Sequence, residues 1–199
     1  MTSELILASA SRARARLLAS AGLKVRVEPA AVDEWSVKQV FRAETPLAAD
    51  CALALAETKA AKAAKRYRRA VVIGADQILV CGDEWFDKPA DLHEARAQLQ
   101  RLRGRTHELV TAICVVQARM RLWHTVSGPQ LTMRQFSDEF LDDYIAAEGA
   151  ALLGCVGAYR LEGRGVQLFD RIAGDYFAIL GLPLLELLSF LRARGDIAS

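Results

Sequence analysis

The stretch "VVIGADQILV", residues 71–80, decides how this chain is read. Three apolar residues and a Gly-Ala step lead into Asp76 and Gln77, after which the run is apolar again. The pattern is that of a buried strand interrupted by two polar side chains. An ionised carboxylate in a core is costly unless it is paired or binds a cation. Asp76 therefore has a partner or a task. Its place, late in an apolar run, is where active-site residues of α/β proteins collect.

Outward from that strand, helices and strands alternate. On the N-terminal side, "ELILAS" (4–9) reads as a short buried strand and "SRARARLLASAGL" as a helix closed by Gly22. "LKVRVEPA" is an alternating strand. A polar loop follows, and Pro46 is expected to open a long Ala-rich helix running to about Tyr67. On the C-terminal side a turn at Gly82-Asp83 comes first. Asp91 and Glu94 then form a capping-box pattern for a helix over 92–102, ended by Gly104. "HELVTAICVVQ" and "RLWHTVSGPQLTMRQF" predict two long strands, and Ser137 caps a helix over "DEFLDDYIAAEG". A Gly-rich stretch with short strands covers 154–175, and Pro183 starts a last helix that ends before Gly195. The class is α/β, in a single domain spanning 1–199.

Composition narrows the function classes. Hydrophobic residues make up 52% of the 199 and charged residues 25%, so the chain folds a substantial core. No apolar run approaches the ~20 residues that span a bilayer. In "MTSELILASASRARAR" the basic charge comes after the apolar stretch, the wrong order for a secretory signal. Cys51, Cys81, Cys114 and Cys155 form no C-x-x-C pair, and only His93, His107 and His124 accompany them. Free thiols in a cytoplasmic protein are expected, not a structural zinc site. A net charge of +2 is too small for nucleic-acid binding by the whole surface. The basic run "KAAKAAKRYRR" (59–69) holds six cations but only Tyr67 among them, too little for a stacking platform, so no stable nucleic-acid binding is expected.

Five constellations could carry chemistry. In "LILASASRARARLL" a strand ends at Ser9 and Ser11 and becomes a helix with Arg12, Arg14 and Arg16 in its first turns. A helix N-terminus attracts anions, and arginine adds bidentate phosphate contacts. The alternative is a plain serine cap with solvated arginines. In "DEWS" (33–36), Asp33 and Glu34 are either cation ligands or a surface acidic pair. On the Ala-rich helix most cations are solvated, but Lys59 is placed to reach inward. Asp76 with Lys88 of "DKP" is an internal ion pair, or a metal ligand and a phosphate clamp. Glu162 and Asp175 stand among glycines that permit close backbone approach.

In their order along residues 5–195, these segments resemble the Maf family, the septum-formation-inhibitor-like nucleoside triphosphate pyrophosphatases. The resemblance is carried by "LILASAS", "VDE" (32–34), "ETKAAKA" (57–63), "VIGADQ" (72–77) and "DKP" (87–89). It continues through "LRGRTHELVTAICV" (102–115), "GAYRLEGRG" (157–165) and "IAGDYFAILGLPL" (172–184). It implies a mixed α/β sheet in two lobes, like the inosine-triphosphatase fold, with a nucleotide in the cleft between them. It also implies hydrolysis of the α–β phosphoanhydride to a nucleoside monophosphate and pyrophosphate, with magnesium or manganese. Carried over residue by residue, Asp76 matches the catalytic base. Ser9, Ser11, Arg14, Lys59 and Lys88 match the phosphate-binding positions, and Glu34 with Asp76 the metal ligands. A nucleoside triphosphate is the implied partner, and a homodimer is left open.

Where the family commonly has Ser-Pro-Arg-Arg, this chain has Ser11-Arg12-Ala13-Arg14, which puts the site roles of Arg12 and Arg16 in doubt. Members acting on dTTP and UTP usually carry threonine after the catalytic Asp and glutamine before the later glycine. Gln77 and Glu162 instead look like the 7-methyl-GTP branch. A guanine edge offers two adjacent donors that one carboxylate accepts together, whereas a uracil edge sets carbonyls against it. Ala13 counts the other way, because that branch tends to carry a stacking aromatic there, which leaves Trp35 and Tyr159 as substitutes. The expectation is a guanine-type, 7-methylated nucleotide. The alternatives are a dTTP/UTP pyrophosphatase and a non-catalytic, nucleotide-binding regulator of septum formation.

Overall fold

The structure is a computed structural model that describes residues 3–44 and 47–198. The expected helix start at Pro46 lies outside the described residues. In chain order the elements are β1 (Leu5–Leu7), α1 (Arg12–Ser20), β2 (Val25–Val27), α2 (Glu34–Glu44), α3 (Ala48–Ala64) and β3 (Val71–Cys81). β4 (Glu84–Phe86), α4 (Leu92–Leu102), β5 (Thr106–Gln117), β6 (Met120–Ser127), β7 (Gln130–Met133) and α5 (Asp138–Glu148) follow. Three short 3-10 stretches then lead to β8 (Phe169–Ala173), α6 (Tyr176–Ile179) and α7 (Leu184–Arg194). The strands form a mixed sheet ordered β2-β1-β3-β5-β7-β8, with β4 on β3 and β6 on β5. The expected α/β class with a mixed sheet is what the chain adopts. Among the described residues no helix is long and apolar enough to cross a membrane.

The chain divides into two compact units. The first holds residues 1–77, 111–127 and 175–199, and the second holds 78–110 and 128–174. In the first, β1 runs parallel to β2 (Leu5 opposite Val25) and to β3 (Leu5 opposite Val71). Side chains alternate across a strand. Val71, Ile73 and Ala75 accordingly face one core with Leu5, Leu7, Leu18, Ile113, Leu182 and Leu187. The other face of β3 takes α3, whose buried stripe is Ala52, Leu55, Ala56, Lys59, Ala60 and Ala63. That helix ends at Ala64, three residues short of the expected Tyr67.

Two expectations fail here for local reasons. The loop after β2 contains α2, which Asp33 starts by accepting hydrogen bonds from Ser36 N and Ser36 Oγ. Its only buried residue is Lys38, so no apolar stripe announces it. The second long strand is two strands, broken at Gly128-Pro129. β6 pairs with Thr111–Gln117 of β5, and β7 pairs with Thr106–Glu108 further back along the same strand. Proline has no N–H to continue a ladder.

In the second unit, β4 hairpins onto the end of β3 and β7 pairs antiparallel with β8 (Leu131 opposite Ile172). Asp91 caps α4 through Glu94 N, and Ser137 caps α5 through Phe140 N. The Gly-rich stretch is mostly 3-10 turns rather than short strands, with β8 its one strand among the described residues. His107 is buried among Tyr159 and Phe169, and its Nε2 lies 2.8 Å from the Tyr159 hydroxyl. Desolvation lowers its pKa from 6.5 to about 4.

Between those two values the unfolded chain binds a proton that folded His107 refuses. This contribution is intact above about pH 6.5 and is lost as pH falls towards 4, by about 3 kcal/mol in all. Urea-unfolding free energies of the wild type are expected to fall across that window. His107→Gln should remove this part of the slope; an unchanged slope would show that His107 is not its source.

Candidate active site

The geometry begins with a close approach between α3 and β3. A Cβ on Gly74 would run into the Ala56 carbonyl oxygen and lie 2.9 Å from the Ala60 Cβ. Only glycine lets the helix axis come this near the strand. Two residues on, and on the same face, Asp76 meets Lys59 from the next step of the helix stripe. Lys59 Nζ lies 2.5 Å from Asp76 Oδ1 and 2.6 Å from Glu34 Oε1. Asp76 is 4% exposed. Its second oxygen, Oδ2, is buried with no hydrogen-bond partner among the described residues. Glu34 reaches the trio because Asp33 caps α2, which makes Glu34 the first helical residue. Asp33 thus serves as the cap of α2. Lys62 Nζ donates to the Ala31 carbonyl, which ties the preceding loop to α3.

A second cation is fixed nearby by the turn between β1 and α1. Ser11 caps α1, accepting from Arg14 N at 3.4 Å, and its own N–H donates to Ser9 Oγ at 3.2 Å. Arg14 is buried. Its Nη1 donates to Ser9 Oγ (3.0 Å) and to the Ala75 carbonyl (2.8 Å), and its Nε to the Gly181 carbonyl (2.8 Å). Burial pulls the Arg14 pKa below its usual value, and the charges of Asp76 and Glu34 oppose that pull. Gly181 adopts φ +98°, so that its carbonyl and Arg14 can meet where a side chain would be strained. Arg12 and Arg16 are exposed on the same helix, and Ala13 is half-buried between them.

Gln77 points to the opposite face of β3 from Asp76. Its Nε2 donates to Thr111 Oγ1 (2.8 Å) and to the carbonyls of Ala178 (3.0 Å) and Ile179 (3.2 Å). Thr111 Oγ1 also donates to the Ala178 carbonyl at 3.0 Å. Asp175 caps the same short helix through Phe177 N and Ala178 N. Thr111 escaped the sequence reading, whereas Gly181 is one of the glycines expected to permit close backbone approach. Thr111, a lone hydroxyl in the apolar run of β5, was detectable by the rule that singled out Asp76.

The first unit therefore contains Ser9, Ser11, Ala13, Arg14, Glu34, Lys59, Asp76 and Gln77; contacts join Ser9 and Ser11 to Arg14 and join Glu34 and Asp76 through Lys59, whereas Gln77 faces the other side of β3. Lys88 and Glu162 belong to the second. Lys88 is exposed after β4, and Glu162 lies 3.6 Å from Arg160 Nε. Both act on the Cys155 thiol, whose pKa is raised first by burial. Tyr159 is not available to stack on a base, because it is buried against His107 and Phe169. Trp35 is 69% exposed on α2.

Among the described residues no three His, Cys, Asp or Glu side chains cluster as a metal cage. The Asp76–Glu34 pair supplies hard oxygen donors, and the orphaned Oδ2 wants a cation or a proton donor. That set fits magnesium or manganese, which take one or two carboxylates and complete their shell with substrate phosphates and water.

Gly74→Ala should cost at least about 2 kcal/mol in urea unfolding, because a backbone carbonyl cannot yield as a side chain can. Wild-type stability would mean that the approach is not tight.

The sequence model of one family, described as "Maf-like protein", matches residues 4–194. A nucleoside triphosphate pyrophosphatase of Granulibacter bethesdensis is 58% identical over 95% of this chain and 96% of its own length. One from Paramagnetospirillum magneticum is 52% identical over 96% and 99%. A 7-methyl-GTP pyrophosphatase of Rhizobium meliloti is 48% identical over 97% of both chains.

Proposed function

The chain belongs to the Maf family, and we propose that it is a nucleoside triphosphate pyrophosphatase, a hydrolase acting on an acid anhydride. The observation that carries the reading is Asp76. It is buried, one oxygen is fixed by Lys59, and the other has no hydrogen-bond partner among the described residues. That second oxygen is a pre-positioned proton acceptor in a region where water screens little.

Water attacks the α-phosphorus and gives its proton to Asp76. The bond from that phosphorus to the bridging oxygen breaks, and its electron pair leaves with pyrophosphate. Arg14 has three of its five N–H groups committed to Ser9, Ala75 and Gly181, so its plane is fixed before a phosphate arrives. Ser9 Oγ already accepts from Arg14 and from Ser11 N, so its own O–H is directed outward as a donor. The start of α1 adds the positive end of a helix dipole. Lys59 and Lys88 supply charge against the pyrophosphate that develops. Asp76 and Glu34 would hold a divalent cation, which would supply charge against the remaining phosphate oxygens and lower the pKa of the attacking water.

The substrate is a guanine-type nucleotide, with 7-methyl-GTP the favoured member, as for the Rhizobium meliloti relative. Glu162 reads the base as acceptor of two adjacent N–H groups, held in place by Arg160. Gln77 acts indirectly, since its amide nitrogen is spent on Thr111 and the turn at 178–179. Ala13 leaves room where related enzymes stack an aromatic ring. The enzyme works in the cytoplasm, clearing the nucleotide pool, with septum formation the process it is linked to.

Pyrophosphate release from a nucleotide panel, with magnesium or manganese, tests both levels. Asp76→Asn keeps the shape and should slow hydrolysis by about 100- to 10,000-fold; a wild-type rate would overturn the assignment of the base. Glu162→Gln should weaken guanine-type substrates selectively. Equal slowing of every nucleotide would show that Glu162 does not read the base.

A further inference from the structure

Lys59 stands where two carboxylates converge. Its ammonium lies 2.5 Å from Asp76 Oδ1 and 2.6 Å from Glu34 Oε1, and its side chain is only 8% exposed. The cation between the two expected metal ligands is therefore the protein's own. Removing Lys59 would take away the cation that bridges the two carboxylates and leave the Arg14 charge to oppose both, an excess of negative charge that draws a divalent ion. With Lys59 present, the trio carries one net negative charge and the facing oxygens are occupied.

Lysine suits an exchangeable role. Its ammonium is a compact charge with three rotatable donors on a flexible four-carbon stem, unlike the fixed fork of arginine. The contrast is visible within this unit, where Arg14 is pinned to three acceptors on three segments. The Lys59 ammonium is paired with side chains of the site. A triphosphate offers it new anionic partners.

We propose that Lys59 is a built-in surrogate for the divalent cation. It holds Asp76 and Glu34 in register, excludes the bare metal, and yields only when metal and nucleotide arrive together. This rests on the pyrophosphatase reading for the identity of the ligand, but its test needs no turnover.

Manganese binding to nucleotide-free protein is measured by the loss of the free-ion paramagnetic resonance signal, alongside thermal unfolding with and without manganese. Lys59→Met should bind manganese at least tenfold more tightly than wild type, and manganese should raise its Tm but not that of wild type. Lys59→Arg keeps the charge and should bind as weakly as wild type. Lys59→Gln, which retains a hydrogen-bond donor, stands in if the methionine variant does not fold. Neutral variants that bind manganese no better than wild type would overturn the proposal, as would neutral variants that stay unfolded in millimolar manganese. If the nucleotide panel yields no pyrophosphate yet the neutral variants gain manganese, the enzymatic reading fails and the surrogate role stands.

Discussion

The contact between Lys59 and Asp76 is the constraint on which the first unit turns. Taking two charges out of water is expensive, and their attraction repays it only when geometry is good and further partners are present. Here the geometry comes from apolar packing. Ala56 and Ala60 press α3 against a strand that has no side chain at Gly74, and the helix stripe then delivers Lys59 one step further along. The small residues set the distance and the ion pair uses it. A larger residue at any of the three would move the lysine out of reach before it altered any charge.

The charges of this cluster also balance. Arg14 and Lys59 are both buried, and Asp76 and Glu34 oppose them. The resting sum is near zero, which a region of low polarity tolerates best. A triphosphate brings several negative charges into it. Two committed cations cannot neutralise them, so the electrostatics of the cluster argue for the proposed divalent ion as much as the chemistry of water activation does. The same balance explains why Arg14 is tied to backbone carbonyls: partial charges hold it without cancelling it.

What the sequence made legible were features with a local rule. Asp76 stood out because a carboxylate in an apolar strand has few explanations. Ser11, Asp91 and Ser137 were readable as caps, since a cap and its partner lie three residues apart. Lys59 could be picked from six cations because it shares a stripe with Ala52, Leu55, Ala56 and Ala63. Hidden features had distant partners or weak patterns. Gln77 is held by residues 34 and 101 or more positions away, and no spacing near it says so. α2 buries only Lys38, and its cap ends in Ser36 rather than the glutamate of a capping box. The break between β6 and β7 was written as Gly128-Pro129, but what makes it necessary is that β5 is long enough to pair with two strands in succession.

The opening pair of polar residues is finally a consequence of alternation. Asp76 and Gln77 are neighbours in sequence, so they must face opposite sides of β3. One side is the helix α3, where a buried carboxylate finds Lys59 and Glu34. The other is the turn after Asp175, where the amide donates to the carbonyls of Ala178 and Ile179. That turn ends at Gly181, which holds Arg14, and Arg14 returns to the carbonyl of Ala75 on β3 itself. The loop of contacts therefore closes: the amide fixes the turn, the turn fixes the arginine, and the arginine stands beside the acid. A change at Gln77 need never touch a nucleotide to alter how one is held.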